Sequence, residues 1–286
     1  MSVYFFLIIQ QLIAGGTHIV AKAILRDIDP VTLTLLRAIV SAVLMVAVFL
    51  IKERQWKIER GDYLKVIWLS LLAVPINQFL FFHGINHSTA PNAALLYATT
   101  PVVVLILSRI MLGEAVTWKK VVGVGLALAG VSSVIFEHGF ALNSDHTYGN
   151  LVLVIAVLTW SLFTINGKPL IMKYGAFYIT SVVLILGMVF YLPIGLLFGT
   201  RVSLSSLSLV HWEGLLYFGI GTSFLGYFLW YYALGRMEAS KVAIFSNAQP
   251  FFATMLAVIF LGQEISAAFV VGGIITICGV VLVQLG

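Results

Sequence analysis

The sequence predicts an all-α polytopic membrane protein, with ten transmembrane helices arranged as two inverted five-helix repeats. Three observations predict it. The chain has 286 residues, of which 61% are hydrophobic and 9% charged, and its mean hydropathy is +1.07; a soluble domain is about a quarter charged. Its apolar runs reach the roughly 20 residues that a membrane helix needs, and they lack the alternation of a membrane barrel. One stretch also occurs twice, since residues 84–134 align without a gap on residues 233–283. Ala90 falls on Ala239, Pro101 on Pro250, Gly113 on Gly262, Gly123 on Gly272 and Gly130 on Gly279, a constant offset of 149 residues. A long internal repeat of membrane helices is the mark of a secondary transporter.

Ten spans are expected over residues 3–25, 31–51, 64–83, 92–112, 118–136, 149–171, 178–198, 212–234, 239–261 and 267–285. The first is a retained span, because Met1 to Gln11 has neither the basic start nor the cleavage site of a signal peptide. The repeats are residues 1–136 and 149–285, and no loop is long enough to fold as a domain. Twelve basic residues fall on one side: Lys52, Arg54, Lys57, Arg60, Lys65, Arg109, Lys119, Lys120, Lys168, Lys173, Arg236 and Lys241. Three fall on the other, Lys22, Arg26 and Arg201. The positive-inside rule then places both termini in the cytoplasm. Five spans is an odd number, so the second repeat runs upside down through the membrane. Lys119-Lys120 in one copy accordingly gives way to Ala268-Phe269 in the other.

Polar residues within spans mark the candidate site, because lipid offers them no partner. In span one Gln11, Gly15, His18 and Lys22 follow at helical steps. That stripe lines a wet pathway or bonds to another helix, with Lys22 reaching for the outer surface. Arg37 in span two is expected to pair with Asp27 or Asp29. Span three holds Pro75, Asn77, Gln78 and His83, and Gln78 superposes on Tyr227 of aromatic span eight. Tyr232 and Tyr217 of that span suit the interfacial belt. Pro101 and Pro250 kink spans four and nine, with Tyr97, Thr99 and Thr100 around one and Ser246, Asn247 and Gln249 around the other. Such symmetric mid-membrane breaks hold a substrate site or only shape the bundle. Gly123, Ala127 and Gly130, against Gly272, Thr276 and Gly279, read as a scaffold contact. In span six Trp160, Thr164 and Gly167 share a face, and Trp160 offers a stacking surface. The expected cavity residues are His18, Gln78, Tyr97, Trp160, Tyr227 and Asn247, with Gln78 and Asn247 as hydrogen-bonding groups.

Several chemistries find no residues here. No Asp or Glu lies mid-span, Glu114 and Glu264 standing at span ends, which argues for passive movement, exchange, or coupling through His18. There is no P-loop, no HExxH and no Cys/His cluster, and His83 and His87 lack a third ligand nearby in sequence. Neither a metal nor a cofactor is expected. The six His residues, including His138, are scattered, which disfavours a membrane-embedded lipid-modifying enzyme. The single Cys278 allows no disulfide within the chain, and the net charge of +5 sits in short loops, as topology and not as a nucleic-acid patch.

At these residues the chain resembles the drug/metabolite transporter superfamily, specifically its ten-span EamA-type members. The likeness is carried by DIDPVTLTLLRAIVSAVL in span two, LLYATTPVVVLILSRIMLGEAVTWKKVVGVGLALAGV in spans four and five, TWSLFTINGKPLIMKYG in span six, and GIGTSFLGYFLWYYALGRMEASKVAIFSNAQPFFATMLAVIFLGQE in spans eight and nine. It implies a central cavity between spans one, three, four, six, eight and nine, alternating access, and export of metabolites, often amino acids. Two positions depart from the family pattern: Gly15-Gly16 replaces a Trp-Gly in span one, and the second Gly-Glu is here Gly262-Gln263-Glu264. The first-span glutamate of the four-span multidrug members has no counterpart. The expectation is a multi-pass carrier in the cytoplasmic (inner) membrane, working as a monomer, whose partners are a small-molecule substrate and the bilayer. A multidrug or organic-cation exporter is the alternative.

Overall fold

The computed structural model describes residues 2–52, 57–137, 144–200, 207–261 and 267–286. Arg54, Arg201, His138 and the Gly262-Gln263-Glu264 run lie outside the described residues. All regular structure among the described residues is helical. Six helical segments are long and apolar enough to cross a membrane by length and composition: Val3–Ile24, Pro30–Lys52, Arg60–Asn86, Ala90–Leu112, His146–Tyr174 and Ala176–Phe198. Exposed aliphatic side chains such as Leu50, Ile51, Leu64, Ile110, Leu196 and Leu197 give the bundle an apolar outside, suited to lipid and unsuited to water. The other four expected stretches are helical as well, over residues 118–137, 209–234, 239–261 and 267–284.

Breaks in the helices follow local chemistry. The first span divides at Gly16 into α1 (Val3–Gly15) and α2 (Thr17–Ile24), and α3 (Pro30–Lys52) runs unbroken. The third span consists of α4 (Tyr63–Leu71), a π-helical segment (Leu72–Gln78) around Pro75, and α5 (Phe79–Asn86). Proline has no N–H to donate, so the ladder widens there. The fourth divides at Thr99 into α6 (Ala90–Ala98) and α7 (Thr100–Leu107), with Pro101 in the first turn of the new helix, where its missing donor costs nothing. It closes through Ser108–Leu112 onto Gly113 at φ 71°, a left-handed cap that glycine adopts freely. Then come α8 (Trp118–Glu137), α9 (Ser144–Tyr174), α10 (Ala176–Phe198) and α11 (Leu209–Leu216). A second π-helical segment, Tyr217–Gly226, leads into α12 (Tyr227–Leu234). It overlaps the stretch 221–227 that lies one repeat offset from the first. The ninth stretch is α13 (Ala239–Ala243), a 3-10 turn (Ile244–Ala248) and α14 (Gln249–Leu261), again with proline, Pro250, just inside a helix start; α15 (Ala267–Gln284) ends the chain.

Small residues let α8 and α15 meet along their backbones. A Cβ added at Gly123 would lie 2.7 Å from the Gly279 carbonyl oxygen, and one at Gly130 would lie 2.5 Å from that of Gly272. The two contacts exchange under the repeat offset. Between them the Thr276 hydroxyl donates to the Ala127 carbonyl at 3.4 Å, and these residues are themselves one offset apart. Two further close approaches have Gly219 against Val40 of α3, and Gly187 of α10 against Ser70 and Val74 of the third span.

Both chain ends lie on one face, where the Tyr4 hydroxyl donates to Gln284 and the Gln284 amide donates to the Lys241 carbonyl. Glu114 organises this face. It accepts from Lys168 at 2.9 Å, from the Ala239 amide at 2.6 Å and from the Ser240 amide and hydroxyl, while Lys120 pairs with Glu238. Burial opposes ionisation of Glu114, but the Ala239 amide, the Lys168 ammonium and the Ser240 amide outweigh it and hold its pKa below the ordinary carboxylate value.

The other face corrects one expectation. Arg37 pairs with neither Asp27 nor Asp29. Asp29 accepts from the Val31 and Thr32 amides at the start of α3 and from Thr200, and Asp27 accepts from His211 at 2.9 Å. Hydrogen bonds from Thr200 and Thr32 overcome the penalty of burial and lower the Asp29 pKa. Lys22 reaches the end of its span and is held there. Its ammonium donates to the Ile85, Asn86 and Ser88 carbonyls at 3.0, 3.2 and 2.6 Å, where the end of α5 concentrates negative dipole charge.

Candidate functional site

A cavity of about 90 Å³ lies between the first, second, third, sixth, eighth and ninth stretches, with Tyr97 reaching in from the fourth. His18, Gln78, Tyr97, Trp160 and Tyr227 line it, so five of the six residues expected from sequence meet there. Asn247 does not. It is fully buried beside the lining residues Ser246 and Gln249, and neither its side-chain oxygen nor its nitrogen has a partner among the described residues.

The first span presents one helical face to the cavity across the break at Gly16. Thr17 and His18 of α2 align with Gln10 and Ala14 of α1. Gln11 turns away to an apolar crevice beside α14 and α15, its amide donating to Gln10. Gly15 packs on Phe252 and Ala253 of α14. Tyr217 is not an interfacial belt residue: its hydroxyl stands 2.9 Å from where a Cβ of Gly16 would be and donates to the Ile13 carbonyl. An aromatic ring from the eighth stretch thus occupies the ground beside the Gly15-Gly16 pair.

Gln78 and Tyr227 form the centre. The Gln78 amide nitrogen donates to the Tyr227 hydroxyl at 3.3 Å, and that hydroxyl donates in turn to the Ala73 carbonyl at 3.4 Å, a carbonyl within the π-helical segment. The Gln78 side-chain oxygen is buried and has no partner among the described residues. Asn77 is committed elsewhere, donating to the Ala156 carbonyl at 2.7 Å and to Thr159 at 3.2 Å. Trp160 meets Tyr227 edge-on with ring centres 5.3 Å apart and stacks on Phe163 at 5.4 Å. Its expected companions serve packing. Thr164 accepts from the Trp230 indole at 3.1 Å, and Gly167 makes room for the Tyr231 hydroxyl. His18 stands edge-on to Tyr97 at 5.8 Å, and its Nδ1 is buried without a partner.

Sequence reasoning missed Arg37. Its side chain is buried and lines the cavity. The guanidinium Nε donates to the Ser223 hydroxyl at 2.6 Å, and its carbon lies 5.4 Å from the centre of the Phe82 ring and 5.6 Å from that of Phe218. No carboxylate lies within ion-pair distance among the described residues. The signal was in the sequence: a lone arginine well inside an apolar span is costly wherever it points. The chain in hand offered Asp27 and Asp29 as cheaper partners, and the fold spends both on helix ends. His83 bonds to the Tyr148 hydroxyl at 3.0 Å and lies far from any such cluster; no group that could hold a metal ion occurs among the described residues.

Comparison with known proteins places the chain in a family. The EamA-like transporter family matches residues 1–136 and 147–285. An uncharacterized transporter of Archaeoglobus fulgidus is 29% identical, covering 96% of this chain and 95% of its own. The uncharacterized transporter YetK of Bacillus subtilis is 28% identical over 96% and 86%. A probable terminal-alkyne amino-acid exporter of Streptantibioticus cattleyicolor is 27% identical over 72% of this chain and 68% of its own. One solved crystal structure superposes with a TM-score of 0.81 over 99% of this chain and 96% of that one; at 18% identity it speaks to the fold alone. The chain is a multi-pass membrane protein and belongs to the EamA-like transporter family.

Proposed function

We propose that the protein is a secondary carrier of the cytoplasmic membrane that moves small organic metabolites, amino acids or related compounds, outward by alternating access. The observation that carries this reading is the meeting of Gln78 and Tyr227 in the cavity. They are equivalent residues of two repeats, 149 positions apart and in hydrogen-bond contact. A site straddling the axis between inverted repeats is what a carrier needs, because rocking one repeat against the other exposes it to each side in turn.

The reading takes the chain as ten spans in two inverted five-helix repeats, residues 1–136 and 149–285, working as a monomer. The exchanged contacts of Gly123 with Gly279 and of Gly130 with Gly272 support the inversion. The face carrying both chain ends also holds Lys119, Lys120, Lys168, Arg236 and Lys241, which supports cytoplasmic termini. On that face the Glu114 network ties the start of α13 to the loop before α8 and to the last turns of α9. Opening toward the cytoplasm breaks it. His18, Gln78, Tyr97, Trp160 and Tyr227 are the substrate-binding residues, and Asn247, with both polar atoms unsatisfied, joins them when α14 moves. The similarity to an amino-acid exporter supports the substrate class. An organic-cation exporter is the weaker reading, since Arg37 puts a fixed positive charge in the cavity.

The test is uptake of a labelled amino-acid panel into liposomes holding the purified protein, with and without a pH gradient. Saturable flux is the expected result, and a gradient requirement would bring forward His18 as the coupling group. No flux of any amino acid, with saturable flux of a lipophilic cation, would replace this reading by the cation exporter.

A further inference from the structure

We infer that Arg37 is the anchor for a carboxylate on the transported molecule, so the carrier selects small carboxylates and works against amines that lack one. The inference rests on the carrier reading above and adds the group by which the substrate is recognised.

A guanidinium carries five N–H donors and stays charged. Removing it from water without a partner is expensive, and buried arginines normally face a carboxylate or several carbonyls. Arg37 has little of either. Ser223 takes Nε, two phenyl rings flank the group, and the terminal nitrogens make no hydrogen bond to a described residue. Its position is set by packing on Phe82 and Phe218, so the fork is held ready in the cavity wall. A carboxylate accepts two parallel hydrogen bonds from such a fork, and in a buried site that pairing replaces the hydration both groups have lost.

The rest of the wall fits the same ligand. The Gln78 side-chain oxygen is a buried acceptor with no partner, able to take a hydrogen from a substrate ammonium. The rings of Trp160, Tyr227 and Trp230 line the same cavity and offer π faces to a cation. A positive group and an acceptor in one small space match a molecule with an anionic end and an N–H donor end, as an α-amino acid has. Among the lining residues there is no Asp or Glu to hold an organic cation in their place.

The test compares each acid with the amine left when its carboxylate is removed: L-leucine with 3-methylbutylamine, and L-phenylalanine with 2-phenylethylamine. Binding to the wild-type protein in nanodiscs is followed by the fluorescence of its tryptophans and by thermal stabilisation. Losing a charge-assisted pair costs a factor between about ten and a hundred, so the amino acids are expected to bind at least tenfold tighter than their amines. Arg37→Gln should erase that preference, weakening the acids and strengthening the amines that the guanidinium repels, and Arg37→Lys should restore part of it. The wild-type comparison stands even where a variant does not fold. Amines binding as tightly as acids, or an Arg37→Gln protein that keeps the preference, overturns the inference. Liposome uptake on the same preparation separates the two levels. Saturable uptake of amines but not acids overturns the arginine assignment and keeps the carrier, whereas neither binding nor uptake of any compound overturns both.

Discussion

Gln78 and Tyr227 donate and accept one hydrogen bond across 3.3 Å although 149 residues separate them, the same distance along the chain that separates every matched pair of the repeat. Under the proposed inversion, a residue touches its own repeat equivalent only on the axis that would relate the halves. Thr276 and Ala127, also 149 apart and 3.4 Å in contact, mark a second point on that axis. The cavity surrounds the first point and the glycine seam the second.

Tyr227→Phe removes the hydroxyl that accepts from Gln78 and leaves both of the amide's polar atoms buried and unpartnered. The expected cost is about 1–2 kcal/mol of stability, with transport reduced and the protein still inserted. Gln78→Ala should lower transport more strongly, because it also removes the free acceptor. Flux per inserted molecule, set beside melting curves of the two variants, measures this. Wild-type flux in both would remove the pair from the site.

Gly130→Leu should destabilise the bundle by several kcal/mol, since even a Cβ there meets the Gly272 carbonyl at 2.5 Å and the Thr276 hydroxyl at 2.4 Å. Gly125, two residues from Ala127 of the seam but exposed on another face of α8, has nothing within 4 Å of a Cβ. Gly125→Leu should therefore insert and melt like the wild type. Monodispersity and melting temperature in detergent check the contrast, and equal behaviour of the two variants would contradict the seam.

Glu114 should make stability depend on acid pH. Its folded pKa is lowered from 4.5, so its contribution is full above that value and is lost as pH falls through the folded pKa. Glu114→Gln keeps part of the hydrogen bonding and cannot titrate. Melting temperature measured from about pH 7 down to pH 3 should drop more steeply in the wild type than in the variant. Parallel curves would show that the carboxylate is not ionised in this network.

The helices were legible in the sequence because burial in lipid leaves the backbone no other arrangement. The glycine seam was legible because the repeat put small residues opposite small residues. What the sequence could not show is which edge of a polar stripe faces inward. Helical spacing lets His18 share a face with either Gln10 or Gln11, and the cavity takes Gln10, Ala14, Thr17 and His18 while Gln11 lies against the neighbouring apolar crevice. Through Ile244–Ala248 the chain follows a 3-10 path, with three residues per turn in place of 3.6. Ser246 and Gln249 therefore face the cavity and Asn247 does not. Arg37 was misread for a different reason. Its expected acids are near in sequence, but their partners, Thr200 and His211, come from the far half of the chain.

Access to the cavity from both sides tests the carrier most directly, and it needs no knowledge of the substrate. Ser246 lines the cavity, and the chain has one cysteine, Cys278, so Ser246→Cys in a Cys278→Ala background places a single thiol at the site. A membrane-impermeant thiol reagent is then offered to sealed vesicles of each orientation. Alternating access predicts labelling from either side. Labelling from one side alone, or from neither, would contradict it.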